Sequence, residues 1–155
     1  MKASTFIILT LFAFFFLSCE KTNIYSPYSQ LQEDIQKIDD YLIENNISAI
    51  RSSSGLRYVI LDEGLGSNPV RGNLVKVAYT GTLFDGTVFD QGTITYTHGM
   101  GQVISGWDEG LSYIGERGKI TLYIPSVLAY GNRGKGDLIG PNENLIFDVE
   151  LLSVQ

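Results

Sequence analysis

The stretch VKVAYTGTLFDGTVFD, Val75 to Asp90, consists of two runs rich in β-branched and aromatic residues, split by Asp85-Gly86. An Asp-Gly pair between such runs signals a tight hairpin, because glycine supplies the positive φ the turn requires. Working outward, Leu56 to Leu61, Leu74 to Phe84, Gly118 to Ile124 and Leu145 to Val154 have the same character, bounded by Gly, Asn, Asp and Pro, and predict strands. Between them only Ile104 to Ile114 has helical character, and it is short. The pattern predicts an α+β domain: an antiparallel sheet of about five strands with one short helix on a face. A chain of 155 residues suits one such domain plus an appendage.

Upstream, Leu31, Ile35, Ile38 and Leu42 recur at helical steps and predict an amphipathic helix over about residues 30 to 45. Ser29 and Gln32 offer a capping box, and Asn45-Asn46 a stop. Glu33, Asp34, Asp39 and Asp40 on its polar side argue for packing on its own domain or a partner rather than on lipid. Residues 20–28, EKTNIYSPY, read as a polar tether. Before it, Lys2 precedes an apolar run of 12 residues, Phe6 to Leu17. A membrane-spanning helix needs roughly 20 residues and a signal-peptide core roughly 7 to 15, so length favours a cleaved leader. The run ends in Leu17-Ser18-Cys19, with the chain's single cysteine, and resembles the lipobox at which bacterial lipoproteins are cut and lipidated; Phe16 stands where that pattern has an aliphatic residue. The other reading is a plain secretory leader followed by a free thiol. Cleavage before Cys19 would remove Lys2 and no acidic residue, taking the net charge from −6 to −7. That acidity argues against phosphate-backbone partners.

No nucleophilic or metal constellation is legible. One cysteine and one histidine, His98, make neither a disulfide nor a zinc cluster. GNRGKG, Gly131 to Gly136, lacks phosphate-loop spacing and reads as a plain loop. What stands out is an aromatic and aliphatic set where strands meet turns: Tyr79, Phe89, Val103, Ile104, Trp107, Tyr130, Ile139 and Phe147, with Asp90 among them. The set is either an ordinary core or the wall of a site. Trp107, the only tryptophan, directly follows Gly106, and either plugs a small core or floors a pocket.

VKVAYTGTLFDGTVFD, GQVISGWDEGL, IPSVLAYGNRG and LIFDVELLSV resemble, in order and spacing, the successive motifs of the FKBP-type peptidyl-prolyl cis-trans isomerases, over about Gly55 to Gln155. The resemblance implies a twisted antiparallel half-barrel of five to six strands wrapped around one short helix, preceded here by the amphipathic helix. Together with the readings above, it divides the chain into a leader (1–18), a lipidated cysteine with its tether (19–28), an N-terminal helix (29–50) and an isomerase domain (55–155). It implies catalysis of X-Pro rotation by Tyr79, Phe89, Asp90, Trp107, Tyr130 and Phe147, with substrate contacts from Tyr96, Val103, Ile104 and Ile139. In that picture the proline ring rests on Trp107, the Ile104 N–H and the Tyr130 hydroxyl hold substrate carbonyls, and Asp90 accepts a hydrogen bond from Tyr79. Gly106 would keep the approach clear. His98 stands where a phenylalanine is usual before the Leu-Gly pair, read here as Met100-Gly101, and Gly140-Pro141 where many members have two prolines. No cofactor or metal is implied. The implied partners are proline-containing polypeptides, macrolide inhibitors, a membrane reached through the lipid anchor and a second copy met through the N-terminal helix; nucleic acid is not among them. The implied place is the bacterial envelope, at the periplasmic side of the outer membrane. The competing reading is a module of the same fold that holds proline segments with little turnover.

Overall fold

The computed structural model describes residues 26–155; the leader, Cys19 and most of the tether lie outside the described residues. Helix α1 (Pro27–Glu44) precedes strands β1 (Ile50–Arg51), β2 (Arg57–Asp62), β3 (Leu74–Thr82) and β4 (Val88–Thr97), then helix α2 (Ser105–Leu111) and strands β5 (Lys119–Ile124) and β6 (Leu145–Val154). All six strands join one sheet in the order β1-β2-β5-β6-β3-β4, and every neighbouring pair is antiparallel.

The sheet has apolar side chains on both faces. Along β5, Ile120, Leu122 and Ile124 point to one side and pack with Leu111 and Ile114 from the α2 region, whereas Tyr123 points to the other. The two-residue period of a strand requires that division. On the second side Tyr123 and Ile146 meet Ile38 and Leu42 of α1. The N-terminal helix therefore packs on its own domain.

Two polar anchors fix α1 in place. Arg57 of β2, itself buried, grips Asp39 through Nε at 2.9 Å and Nη2 at 3.2 Å and also donates to the Gly55 carbonyl. Asp34, assigned above to the solvent side, is instead fully buried. Its carboxylate accepts from Gln30 Nε2 at 2.9 Å and from Ser126 Oγ at 2.6 Å. The helix also begins earlier than the capping-box reading places it. Ser26 is the N-cap and Pro27 opens the first turn, where its missing N–H costs nothing; Ser29 Oγ donates to the Ser26 carbonyl. Asn45 and Asn46 do end it, Asn46 with φ 56°.

Strand β4 runs on to Thr97, well past its TVFD opening, paired along its length with β3; Gly92, Thr93 and Thr95 dilute the apolar signal that would mark that length in the sequence. Strand β1, too short to carry any period, pairs with β2 across the Ser52 to Gly55 turn. Helix α2 lies close against β5 through two glycines one turn apart. A Cβ on Gly106 would stand 2.6 Å from Ile124 Cγ2, and one on Gly110 would run into Leu122. Gly106 thus serves helix-on-sheet packing rather than clearing an approach to a site.

Candidate active site

Strand β3 and strand β6 are paired, with Gly81 opposite Phe147 and Tyr79 opposite Val149. That register places the Tyr79 and Phe147 rings above α2, where Trp107 lies between them. Trp107 meets Phe147 edge to face at 5.1 Å and 86°, and Tyr79 at 4.9 Å and 72°. Such T-shaped contacts set the positive edge of one ring on the negative face of the next. Phe89 adds a fourth ring, 5.3 Å from Phe147 at 85°. Gly81 makes room for it: a Cβ there would stand 2.5 Å from Phe89 Cζ.

Between β3 and β4 the register slips at this point, so that Gly81 faces Asp90 and Thr82 faces Val88, leaving Phe89 as the extra residue of a β-bulge. A bulge breaks the in-out alternation. Consecutive Phe89 and Asp90 can therefore both border the same groove. The Tyr79 hydroxyl donates to Asp90 Oδ2 at 3.0 Å. Burial first, and then that carboxylate, raise the Tyr79 phenol above its ordinary pKa, so it stays a donor throughout the neutral range.

The Tyr79, Trp107 and Phe147 rings form the floor and one wall of a cleft of about 140 Å³, lined also by Asp90, Ile94, Gln102, Val103, Ile104, Tyr130 and Lys135. Ile104 is the N-cap of α2: its carbonyl accepts from the Trp107 N–H at 3.0 Å, while its own N–H meets no acceptor among the described residues. Across the cleft, Tyr130 follows the Ser126–Leu128 turn, of which Ser126 is buried, and its hydroxyl accepts from Lys135 Nζ at 3.1 Å. A second groove of about 190 Å³ continues past Asp90 and Tyr130 to Leu138 and Ile139. Mutual backbone hydrogen bonds between Lys135 and Ile139 close the loop at that end. Gly134, with φ 63°, is required there because a Cβ would collide with the Ile139 carbonyl.

Of the residues singled out in the sequence, Tyr79, Asp90, Val103, Ile104, Trp107, Tyr130 and Phe147 line the cleft, and Phe89 and Ile139 the adjoining groove. Tyr96 does not. It is buried behind the indole, 6.3 Å from Trp107, and its hydroxyl has no hydrogen-bond partner among the described residues. Ile94, two residues earlier on the same face of β4, holds the lining position assigned above to Tyr96. The resemblance gives Tyr96 a place in the sequence but not its depth in the fold, and a step of two residues preserves the face while shifting position along the strand by about 7 Å. His98 lies off the cleft, buried, with Nδ1 3.6 Å from Asp108 Oδ1. Gln102 and Lys135 are further lining residues that no sequence pattern marks. Trp107 is only 5% exposed, so its ring belongs to the core and to the cleft floor at once.

Residues 66–152 match the family model described as FKBP-type peptidyl-prolyl cis-trans isomerase. A curated relative from Neisseria meningitidis serogroup B, named as a probable FKBP-type peptidyl-prolyl cis-trans isomerase FkpA, is 46% identical over 108 residues, covering 66% of this chain and 39% of the relative. An FK506-binding protein from Neisseria meningitidis serogroup A is 50% identical over 99 residues, covering 61% of this chain and 91% of the relative. The crystal structure of FkpA from Escherichia coli superposes with a TM-score of 0.70 at 37% identity, over 83% of this chain and 62% of that one. The chain thus spans about two fifths of the first relative and nearly all of the second.

Proposed function

The chain belongs to the FKBP-type peptidyl-prolyl cis-trans isomerase family, and on that premise we propose that its cleft accelerates rotation about X-Pro bonds without any covalent step. The observation that carries this reading is the pairing of an apolar floor, Trp107 between Tyr79 and Phe147, with two hydrogen-bonding groups on opposite sides of it. The uncatalysed barrier is about 18–20 kcal/mol and holds the exchange at tens to hundreds of seconds. Each tenfold gain takes about 1.4 kcal/mol, so millisecond turnover asks for roughly 6 kcal/mol.

A twisted amide has lost resonance and with it part of the charge separation of the planar form. Aromatic walls therefore penalise its transfer from water less than they penalise the ground state. The proline ring rests on the Trp107 indole, while the unpaired Ile104 N–H and the Tyr130 hydroxyl hold the carbonyls on either side of the rotating bond. Asp90 holds Tyr79 in the wall through the 3.0 Å hydrogen bond and is not a general base. Macrolide inhibitors, through their ring systems, would compete for the same floor. Line-shape or exchange NMR on a short Leu-Pro peptide tests the reading: the wild-type chain broadens the cis and trans resonances by speeding exchange, and Trp107→Leu abolishes the effect. Unchanged line shapes at catalytic concentrations of wild type would defeat it.

The substrates on this account are exported polypeptides, and the protein works from a lipid anchor at Cys19 in the bacterial envelope, on the periplasmic side of the outer membrane. The support is the leader-like run and the lipobox resemblance. Radioactive palmitate enters wild type and not Cys19→Ala; equal labelling of both would exclude Cys19 as the anchor. The holding-module reading has one observation in its favour, the exposed apolar side chains of Val88, Ile94 and Leu138 around the cleft. A dimer through α1 has less support, since Ile38 and Leu42 already pack on the chain's own sheet and leave Tyr28 and Ile43 as the exposed apolar residues of that helix.

A further inference from the structure

Among the described residues, Lys135 is the one cation lining the two joined grooves. Its ammonium sits 3.1 Å from the Tyr130 hydroxyl oxygen and 4.9 Å from the centre of that ring. None of the four ion pairs among the described residues includes it. The other charges along the grooves are Asp90, whose carboxylate accepts from Tyr79, and the exposed Asp137. The small backbone bridge to Ile139 fixes the backbone of Lys135 beside the cleft, and neither Asp90 nor Asp137 forms an ion pair with its ammonium, which is left to meet a third carboxylate.

We infer that Lys135 determines specificity, favouring substrates with a carboxylate side chain on the residue immediately before the proline. The inference rests on the isomerase reading above. With the proline ring on Trp107 and the Ile104 N–H taking the carbonyl on the α2 side, the Tyr130 hydroxyl faces the carbonyl of the residue before the proline. That residue's side chain cannot enter the apolar floor occupied by the ring and is directed along the second groove, toward Lys135. A glutamate there meets an ammonium free to pair with it, and a lysine meets like charge. The Lys135 ammonium keeps its contact with the Tyr130 oxygen through one of three N–H groups, leaving the phenolic hydrogen for the substrate carbonyl.

The test compares kcat/KM of the whole chain on three peptides that differ only before the proline: Glu-Pro, Gln-Pro and Lys-Pro. An exposed ion pair predicts a preference for Glu over Gln of roughly two- to five-fold, and a larger one for Glu over Lys, both shrinking in high salt. Lys135→Met removes the Glu-to-Lys ratio and Lys135→Glu inverts it, whereas Lys119→Met, on the distant Glu150 pair, leaves the ratio as in wild type. Equal rates on all three peptides with wild type, or a ratio that survives Lys135→Met, would overturn the specificity while leaving the isomerase intact. A preference that appears only when the glutamate follows the proline would overturn the placement. Failure to accelerate any of the peptides would overturn the isomerase reading and the specificity together.

Discussion

At Trp107 a single side chain meets two demands on the proposed reading, since an indole fixed edge to face between Tyr79 and Phe147 closes the core and would offer its other side to a ligand. Removing its bulk should therefore affect stability and turnover together, and Trp107→Ala is expected to cost about 3–5 kcal/mol in denaturant unfolding. Tyr130 separates the two effects. Its hydroxyl contacts only the exposed Lys135 amine, so Tyr130→Phe should leave the unfolding midpoint in place while kcat/KM falls by roughly five- to tenfold, the worth of one hydrogen bond. A fall in both quantities would show that the hydroxyl holds the loop instead. Tyr113 gives a pH-dependent prediction away from the site. Burial, with the hydrogen bond to Glu109, pushes its phenol from 10.0 up to about 12. Between those values the unfolded chain has released a proton that the folded chain keeps. The stabilisation is thus complete below pH 10 and is lost as pH climbs toward 12. Denaturant midpoints measured across that window should fall less steeply in Tyr113→Phe than in wild type. Residues such as Trp107 and Tyr130 were legible in the sequence because large aromatics beside glycine are conspicuous. Ile94 and Lys135 were not, the first hidden between threonines and the second in a glycine-rich loop whose path no local pattern dictates.

Helix α1 shows how far a helical period can be read. The Leu31, Ile35, Ile38, Leu42 stripe locates the helix, but charge alone misplaces Asp34, because the hydroxyl that satisfies it belongs to Ser126, 92 residues away in the chain. That contact runs from a helix outside the family-matched segment to the turn that leads into Tyr130. Asp34→Ala leaves the Gln30 amide and the Ser126 hydroxyl without their shared acceptor, and is expected to lower unfolding free energy by roughly 2–4 kcal/mol. Asp40→Ala, on the exposed side of the same helix, should change it by less than about 0.5 kcal/mol. Helix α2 gives the complementary case. Gly106→Ala would force Ile124 or the helix aside, at about 1–3 kcal/mol by overpacking. Its purpose was not legible from one stretch of chain, since the obstacle is a strand that has yet to be paired when the glycine is read.

At the scale of the whole molecule, the described residues form a sheet with a helix on each face, and the aromatic cleft lies on the α2 side. Strand content, the hairpin at Asp85-Gly86 and the helix between β4 and β5 could all be foreseen. Strand order could not, because β2 pairs with β5 and β3 with β6 across most of the chain. The bulge at Phe89 lies in the same class: only the partner strand reveals that Phe89 and Asp90 are out of alternation. On the proposed reading, function at this scale rests on a cleft that binds a proline ring and lowers a rotational barrier. The most direct measurement is refolding of an unrelated protein whose slow phase is limited by a proline isomerisation, followed with catalytic amounts of this chain. The account predicts that the slow phase accelerates in proportion to the wild-type concentration, weakly with Tyr130→Phe and not at all with Trp107→Leu. A slow phase unchanged by wild type, or accelerated equally by all three proteins, would contradict it.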